Sequence, residues 1–307
     1  MKILMLGGTR FIGRAAVTDL TARGHEVTVL NRGQLPGHPS ATRAITCDKN
    51  DRDALSHVLA HERWDAVMDT LLDDTDLEFI IDRLVGKVAH FIHTGSIGVY
   101  APCTRIPARE TDPLACHDAE FSFSHKLRQD QVLMRAHLER SFPGTSLRKS
   151  YIYGPGMVLL DGWGGRNPKF FQMLRDRETI PLAHGGLALL HPGYVADLAR
   201  AFGDALESPR TIGQCYNIGG HGALTMRDYL SLIARIMGVE PKFEFTSPQQ
   251  ILDRFGKYVD RRGLLFACEH MCCDITKAER DMNWRPTTPL EVGLANSIAW
   301  MTAQGHI

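Results

Sequence analysis

Ile3-Leu4-Met5-Leu6-Gly7-Gly8-Thr9-Arg10-Phe11-Ile12-Gly13 is the stretch that decides the fold. An apolar run of strand length ends in two glycines, and from residue 11 to residue 22 the apolar positions recur with helical spacing. Gly24 closes that helix, because glycine takes the left-handed backbone beyond a C-terminus without steric cost. A second apolar run covers residues 26–30. Strand, glycine loop, helix and strand in this order predict a βαβ unit of a parallel sheet. The loop then opens a helix, where unpaired N–H groups and a partial positive charge suit a phosphate and glycine permits close backbone approach. Gly7, Thr9, Arg10, Phe11, Ile12 and Gly13 are therefore expected to cradle a dinucleotide.

The loop departs from the usual spacing at its middle glycine, which here is Arg10. A side chain there limits the approach of the backbone but can reach over the adenosine side. The end of the second strand carries Asn31-Arg32 in place of the acidic residue that holds ribose hydroxyls. Without a carboxylate to repel a 2′-phosphate, and with Arg32 able to pair with one, NADP(H) is favoured over NAD(H). Asp48, after the third strand, is a candidate for the adenine amino group.

The alternation continues. Strands are expected at 44–47, 65–69, 88–93 and 145–149, with helices at 51–60, 76–85 and 122–140. The fold class is α/β: a Rossmann-type doubly wound parallel sheet over residues 1–155, to which segments near 190–220 return. Residues 156–307 are expected to form mainly a smaller C-terminal substrate lobe. Helices at 195–207, 225–238 and 289–301 and a strand at 241–246 fall there.

The chain has 307 residues, 35 basic and 35 acidic, so no global charge draws it to nucleic acid or an anionic membrane. Seven cysteines without a CxxC pair read as reduced thiols. The first apolar run stops at Gly7-Gly8, too short for a signal peptide, and no stretch approaches a membrane span. A cytoplasmic protein is expected. The histidines and cysteines lack the closely spaced pairs of a zinc site, so no metal is expected.

Several further segments carry a resemblance: Thr94-Gly95-Ser96-Ile97-Gly98-Val99-Tyr100, Leu147-Arg148-Lys149-Ser150-Tyr151-Ile152-Tyr153-Gly154-Pro155-Gly156, Tyr216-Asn217-Ile218-Gly219-Gly220 and Trp284-Arg285-Pro286-Thr287. With the glycine loop, they resemble the extended short-chain dehydrogenase/reductase family, also called the NAD-dependent epimerase/dehydratase family. The form of the loop is most similar to an atypical branch that includes chloroplast stem-loop RNA-binding proteins and bacterial epimerase-like proteins. The resemblance implies a reductase, epimerase or dehydratase acting on a hydroxyl or carbonyl of a small, sugar-like substrate. It also implies homodimers built through a four-helix bundle.

Family chemistry uses a tyrosine that exchanges a proton with the substrate, a lysine four residues later, and a serine or threonine on the substrate oxygen. Ser96 matches the serine and Lys126 the lysine, which in the family also holds the nicotinamide ribose. The tyrosine position is Ser122, and an aliphatic hydroxyl has too high a pKa for the phenol's role. Three readings stay open. Another group acts, with His125, Tyr100 and Tyr151 as candidates. Alternatively, the substrate or a water moves the proton, or the chain binds dinucleotide or RNA without turnover. His125 neighbours Lys126, and adjacent helical residues point about 100° apart. Tyr151 is also expected near the cofactor, and Trp163 and Arg262 near the substrate, where a guanidinium fits a phosphate.

Overall fold

The computed structural model describes residues 1–114 and 124–307. In chain order the elements are β1 (Lys2–Leu6), α1 (Phe11–Ala22), β2 (Glu26–Asn31), β3 (Arg43–Thr46), α2 (Arg52–His61), β4 (Ala66–Asp69), α3 (Asp74–Leu84), β5 (His90–Ser96), α4 (Ser124–Arg140) and β6 (Gly144–Lys149). Then follow β7 (Tyr151–Tyr153), α5 (Pro168–Arg175), β8 (Thr179–Ala183), β9 (Leu189–Leu190), β10 (Pro192–Tyr194), α6 (Val195–Glu207), β11 (Gln214–Ile218), β12 (Leu224–Thr225), α7 (Met226–Ile236), β13 (Lys242–Thr246), α8 (Pro248–Phe255), α9 (Arg261–Ala267), α10 (Thr276–Met282) and α11 (Leu290–Ala303).

Seven strands form one parallel sheet in the order β11-β6-β5-β4-β1-β2-β3. The order reverses between β1 and β4, so the crevice that binds ligands in such sheets lies above their carboxyl ends. The unbroken apolar run of β1 has a direct cause. Ile3 and Met5 face one helical layer with α1 and α6, while Leu4 and Leu6 face the other with α2, α3 and α4. A strand covered on both faces needs apolar residues at every position.

Residues beyond β6 do two jobs. β11 and α6 complete the sheet and its covering layer. α10 and Trp284 also pack on the sheet layer, and most of the rest builds a second core around Trp163, Phe170, Phe171 and Tyr229, which includes residues of the parallel pair β8–β13. Asp197 ties the two parts together. Its carboxylate accepts from Thr287 Oγ1 at 2.7 Å and Thr288 N at 2.9 Å, while its carbonyl accepts the Trp284 indole N–H at 2.8 Å. No helix among the described residues is long and apolar enough to cross a membrane.

Candidate functional site

A cavity of about 560 Å³ opens over the carboxyl ends of the sheet. Its floor is the loop after β1, where Gly7 and Gly8 adopt φ of 104° and 92°. A Cβ on Gly13 would lie 2.8 Å from Gly8 N, so the helix start sits directly against the loop backbone. Phe11 opens α1 with φ of 37°, a conformation that non-glycine residues avoid. Arg10 has an extended backbone and is exposed at the cavity wall.

By strand order the cavity has two ends. On the β2–β3 side stand Asn31, Arg32 and Asp48. Two of these side chains shape their own turns: Asn31 Oδ1 accepts from Gly33 N at 2.6 Å, and Asp48 Oδ1 accepts from Asn50 N at 2.9 Å. Arg32 is exposed at the wall. Lys49, beside Asp48, is committed elsewhere, to Asp73 and Asp76. Toward the other end lie Thr70 and Leu71 after β4, then Lys149, Ile152 and Met157.

Lys149 was not singled out by the sequence reading. It ends β6, directly beside Ser96 in the β5–β6 register. Burial first, and then the Lys126 and Arg166 cations, push its ammonium down to about 7. Lys126 comes from α4 and donates from Nζ to Thr94 O at 3.1 Å, two residues before Ser96. Burial lowers its pKa, opposed by the charges of Asp69 and Asp130. A buried network fixes α4 at this height: His93 Nδ1 lies 2.6 Å from Asp69 Oδ2, and its Nε2 lies 3.1 Å from Gln129 Oε1. Gln129 in turn donates to Leu72 O at 2.8 Å. Ser96 Oγ accepts from Gly98 N at 3.1 Å and keeps its own proton for donation.

Other candidates lie apart from this cluster. Tyr100 is 1% exposed beneath the site. Its hydroxyl donates to Asn217 Oδ1 at 2.9 Å and accepts from Arg148 Nη1 at 2.5 Å, and burial raises its pKa. Tyr151 points into the second core, where its hydroxyl accepts from Leu160 N at 2.5 Å. Trp163 has no face to offer a sugar: it is 1% exposed, packed between Phe170 and Phe255, and its indole N–H donates to Pro181 O. Arg262 is exposed in the first turn of α9, outside the cavity lining. Ser122 lies outside the described residues. Among the described residues no three His, Cys, Asp or Glu side chains gather as metal ligands would.

The model of the NAD dependent epimerase/dehydratase family matches residues 3–73 and 77–219. The chloroplast stem-loop binding protein of 41 kDa b of Arabidopsis thaliana is 29% identical over 96% of this chain and 78% of its own length. A dTDP-glucose 4,6-dehydratase of Streptomyces griseus is 25% identical over 97% of this chain and 93% of its own. Among solved structures, a UDP-glucuronic acid 4-epimerase variant from Bacillus cereus, in complex with a UDP-sugar analogue and NAD, superposes with a TM-score of 0.77. It is 21% identical, over 99% of this chain and 100% of that one.

Proposed function

Because the chain belongs to the NAD-dependent epimerase/dehydratase family, we propose that it is a nicotinamide-dinucleotide enzyme that oxidises, reduces or epimerises a carbinol or carbonyl of a nucleotide-sugar-like substrate. One observation carries the reading. The glycine cradle at the start of α1 lines one cavity with Lys149, and Lys149 stands beside Ser96 in the β5–β6 register, two residues beyond the Thr94 carbonyl that Lys126 binds.

The residues present suit the dinucleotide. The backbone of Gly7 to Ile12 and the start of α1 offer N–H groups to the pyrophosphate, and a Cβ on Gly7 or Gly13 would fill the cradle. Arg32 and Arg10 line the adenosine side without a carboxylate at the Asn31 position, which favours a 2′-phosphate and hence NADP(H) over NAD(H). Asp48 faces the adenine position. At the far end Lys126 holds the ribose, and Ser96 donates to the substrate oxygen. When bound, the nicotinamide supplies or takes up a hydride. The substrate lies between the sheet and the lobe formed by residues 156–307, less α6 and β11. The family reading also implies a homodimer.

Calorimetric titration with NADPH and NADH tests the cofactor reading. NADPH should bind tighter, and Arg32→Ala should remove that preference, a loss of tenfold or more for one charge-assisted pair. Tighter NADH binding overturns the specificity, and no binding of either overturns the enzyme reading. Nucleic-acid binding is a second reading, favoured by the plant relative's name. Filter binding of a structured RNA that weakens with salt would support it.

A further inference from the structure

The family's tyrosine position is Ser122, so the group that exchanges a proton with the substrate has to come from elsewhere. Three observations meet at Lys149. First, it sits beside Ser96 in the β5–β6 register and lines the dinucleotide cavity at the end away from Arg32. Second, its Nζ has no hydrogen-bond or ion-pair partner among the described residues. Third, the charged groups that act on it are cations. Lys126 approaches from α4, and Arg166 from the loop after β7, where Arg166 is pinned by the carbonyls of Val158 and Ile152 at 2.5 and 2.9 Å. The carboxylates of Asp69 and Asp130 act on Lys126 instead.

We propose that Lys149 is the catalytic acid and base of this site, exchanging a proton with the substrate oxygen that Ser96 holds, while Lys126 remains the fixed cation. The assignment rests on the dinucleotide reading above. In the oxidising direction the neutral amine of Lys149 takes the O–H proton, forming an N–H bond. The carbinol C–H bond then breaks, its hydrogen leaving with both electrons to the oxidised nicotinamide, and the C=O bond forms. Reduction runs the same steps backward: the carbonyl carbon takes the hydrogen and its electron pair, and the oxygen takes a proton from the Lys149 ammonium. Water then restores that proton.

The chemistry suits the position. Lys149 is half-buried at the cavity wall, and a lysine crowded there by other cations gives up its proton nearer neutrality, where both forms are populated. The push to about 7 from burial, Lys126 and Arg166 meets that requirement. The alternatives are worse placed. Tyr100 spends its hydroxyl on Asn217 and Arg148, and Tyr151 is turned into the second core, with its hydroxyl 3.4 Å from that of Tyr229.

Competitive acetylation of the whole chain across pH, read by peptide mapping, tests the assignment. Lys149 should show a reactivity midpoint near 7, about three units below an ordinary lysine. Saturating NADPH or NADH should slow its labelling tenfold or more, and Lys126→Met should raise the midpoint by about one unit. A midpoint near 10, or labelling unchanged by a dinucleotide that calorimetry shows to bind, overturns the proposal. Failure of dinucleotide binding in calorimetry instead overturns the reading on which it rests. With a carbonyl or nucleotide-sugar substrate, Lys149→Met should lower kcat about 100-fold or more while dinucleotide affinity changes less than threefold. Lys149→Arg should not restore it, because a guanidinium stays charged. Undiminished kcat in Lys149→Met overturns the proposal.

Discussion

Asp130→Asn should destabilise the fold by about 3 kcal/mol, because it leaves Arg148 as a buried cation without its counter-charge. Arg148 and Asp130 side chains are 5% and 1% exposed, with Arg148 Nε 2.5 Å from Asp130 Oδ2. The other carboxylate oxygen accepts from Ser146 Oγ at 2.5 Å. Breaking a buried pair from one side costs about 3–5 kcal/mol, and the amide oxygen of Asn, which still accepts one hydrogen bond, places this change at the low end. The pair joins β6 to α4, one residue from Lys149 and about one turn from Lys126, so it also sets the spacing of the two lysines. Urea unfolding monitored by far-ultraviolet circular dichroism gives the magnitude. The double variant Asp130→Leu/Arg148→Met should recover most of the loss, since apolar residues of similar volume replace buried pairs at little cost. A loss below about 1 kcal/mol in Asp130→Asn would refute the argument, because the carboxylate would then not be compensating Arg148.

Two further outcomes follow from local geometry. Gly13→Ala should weaken dinucleotide binding tenfold or more by calorimetry, since its Cβ would meet Gly8 N at 2.8 Å and displace the loop backbone. The gain in helix propensity, about 1 kcal/mol, keeps the variant folded, and unchanged affinity would remove the loop from the binding site. His90 should make the protein acid-sensitive. Burial pushes its imidazole down to about 4, beside Thr145 Oγ1 at 2.8 Å. The unfolded chain binds that proton near pH 6.5, so this contribution to stability is present above 6.5 and is lost as pH falls toward 4. Between pH 7.5 and 5 the wild type should lose about 2 kcal/mol more than His90→Gln in urea unfolding, and parallel losses would exclude His90 as the cause.

The residues expected to hold the adenosine could be grouped from the sequence because they are local to strand ends. Gly7 to Gly13, Asn31-Arg32 and Asp48 each sit within a few residues of a strand end, and strand order alone brings them to one cavity. The second lobe was harder to read for nameable reasons. Pro181 argues against a strand at 179–183, yet among the described residues β8 pairs only with β13, so the missing N–H falls on the side away from that partner. Trp163, set among glycines, reads as the tip of a flexible loop. The signal overlooked was Asp161, whose carboxylate accepts from the backbone N–H groups of Trp163, Gly165 and Asn167 and turns the indole inward. The strand β5 extends to Ser96, beyond its apolar stretch, because Thr94, Gly95 and Ser96 pair with Leu147, Arg148 and Lys149.

Lys149 shows the same limit at the reacting end. Read along the chain, a lysine at the end of a strand is a solvated terminus, and it passed as part of a family motif. Its environment is made by three segments distant in sequence: Ser96 from β5, Lys126 from α4 and Arg166 from the loop after β7. Grouping three cations is costly unless something else gains from it. An anionic ligand gains directly, and a lysine held near neutrality gains the ability to move a proton. A site needing charge alone would be served equally well by a second arginine at position 149. Choosing between these uses is what the failure of Lys149→Arg to replace lysine would do, since it keeps the charge and removes only the exchangeable proton.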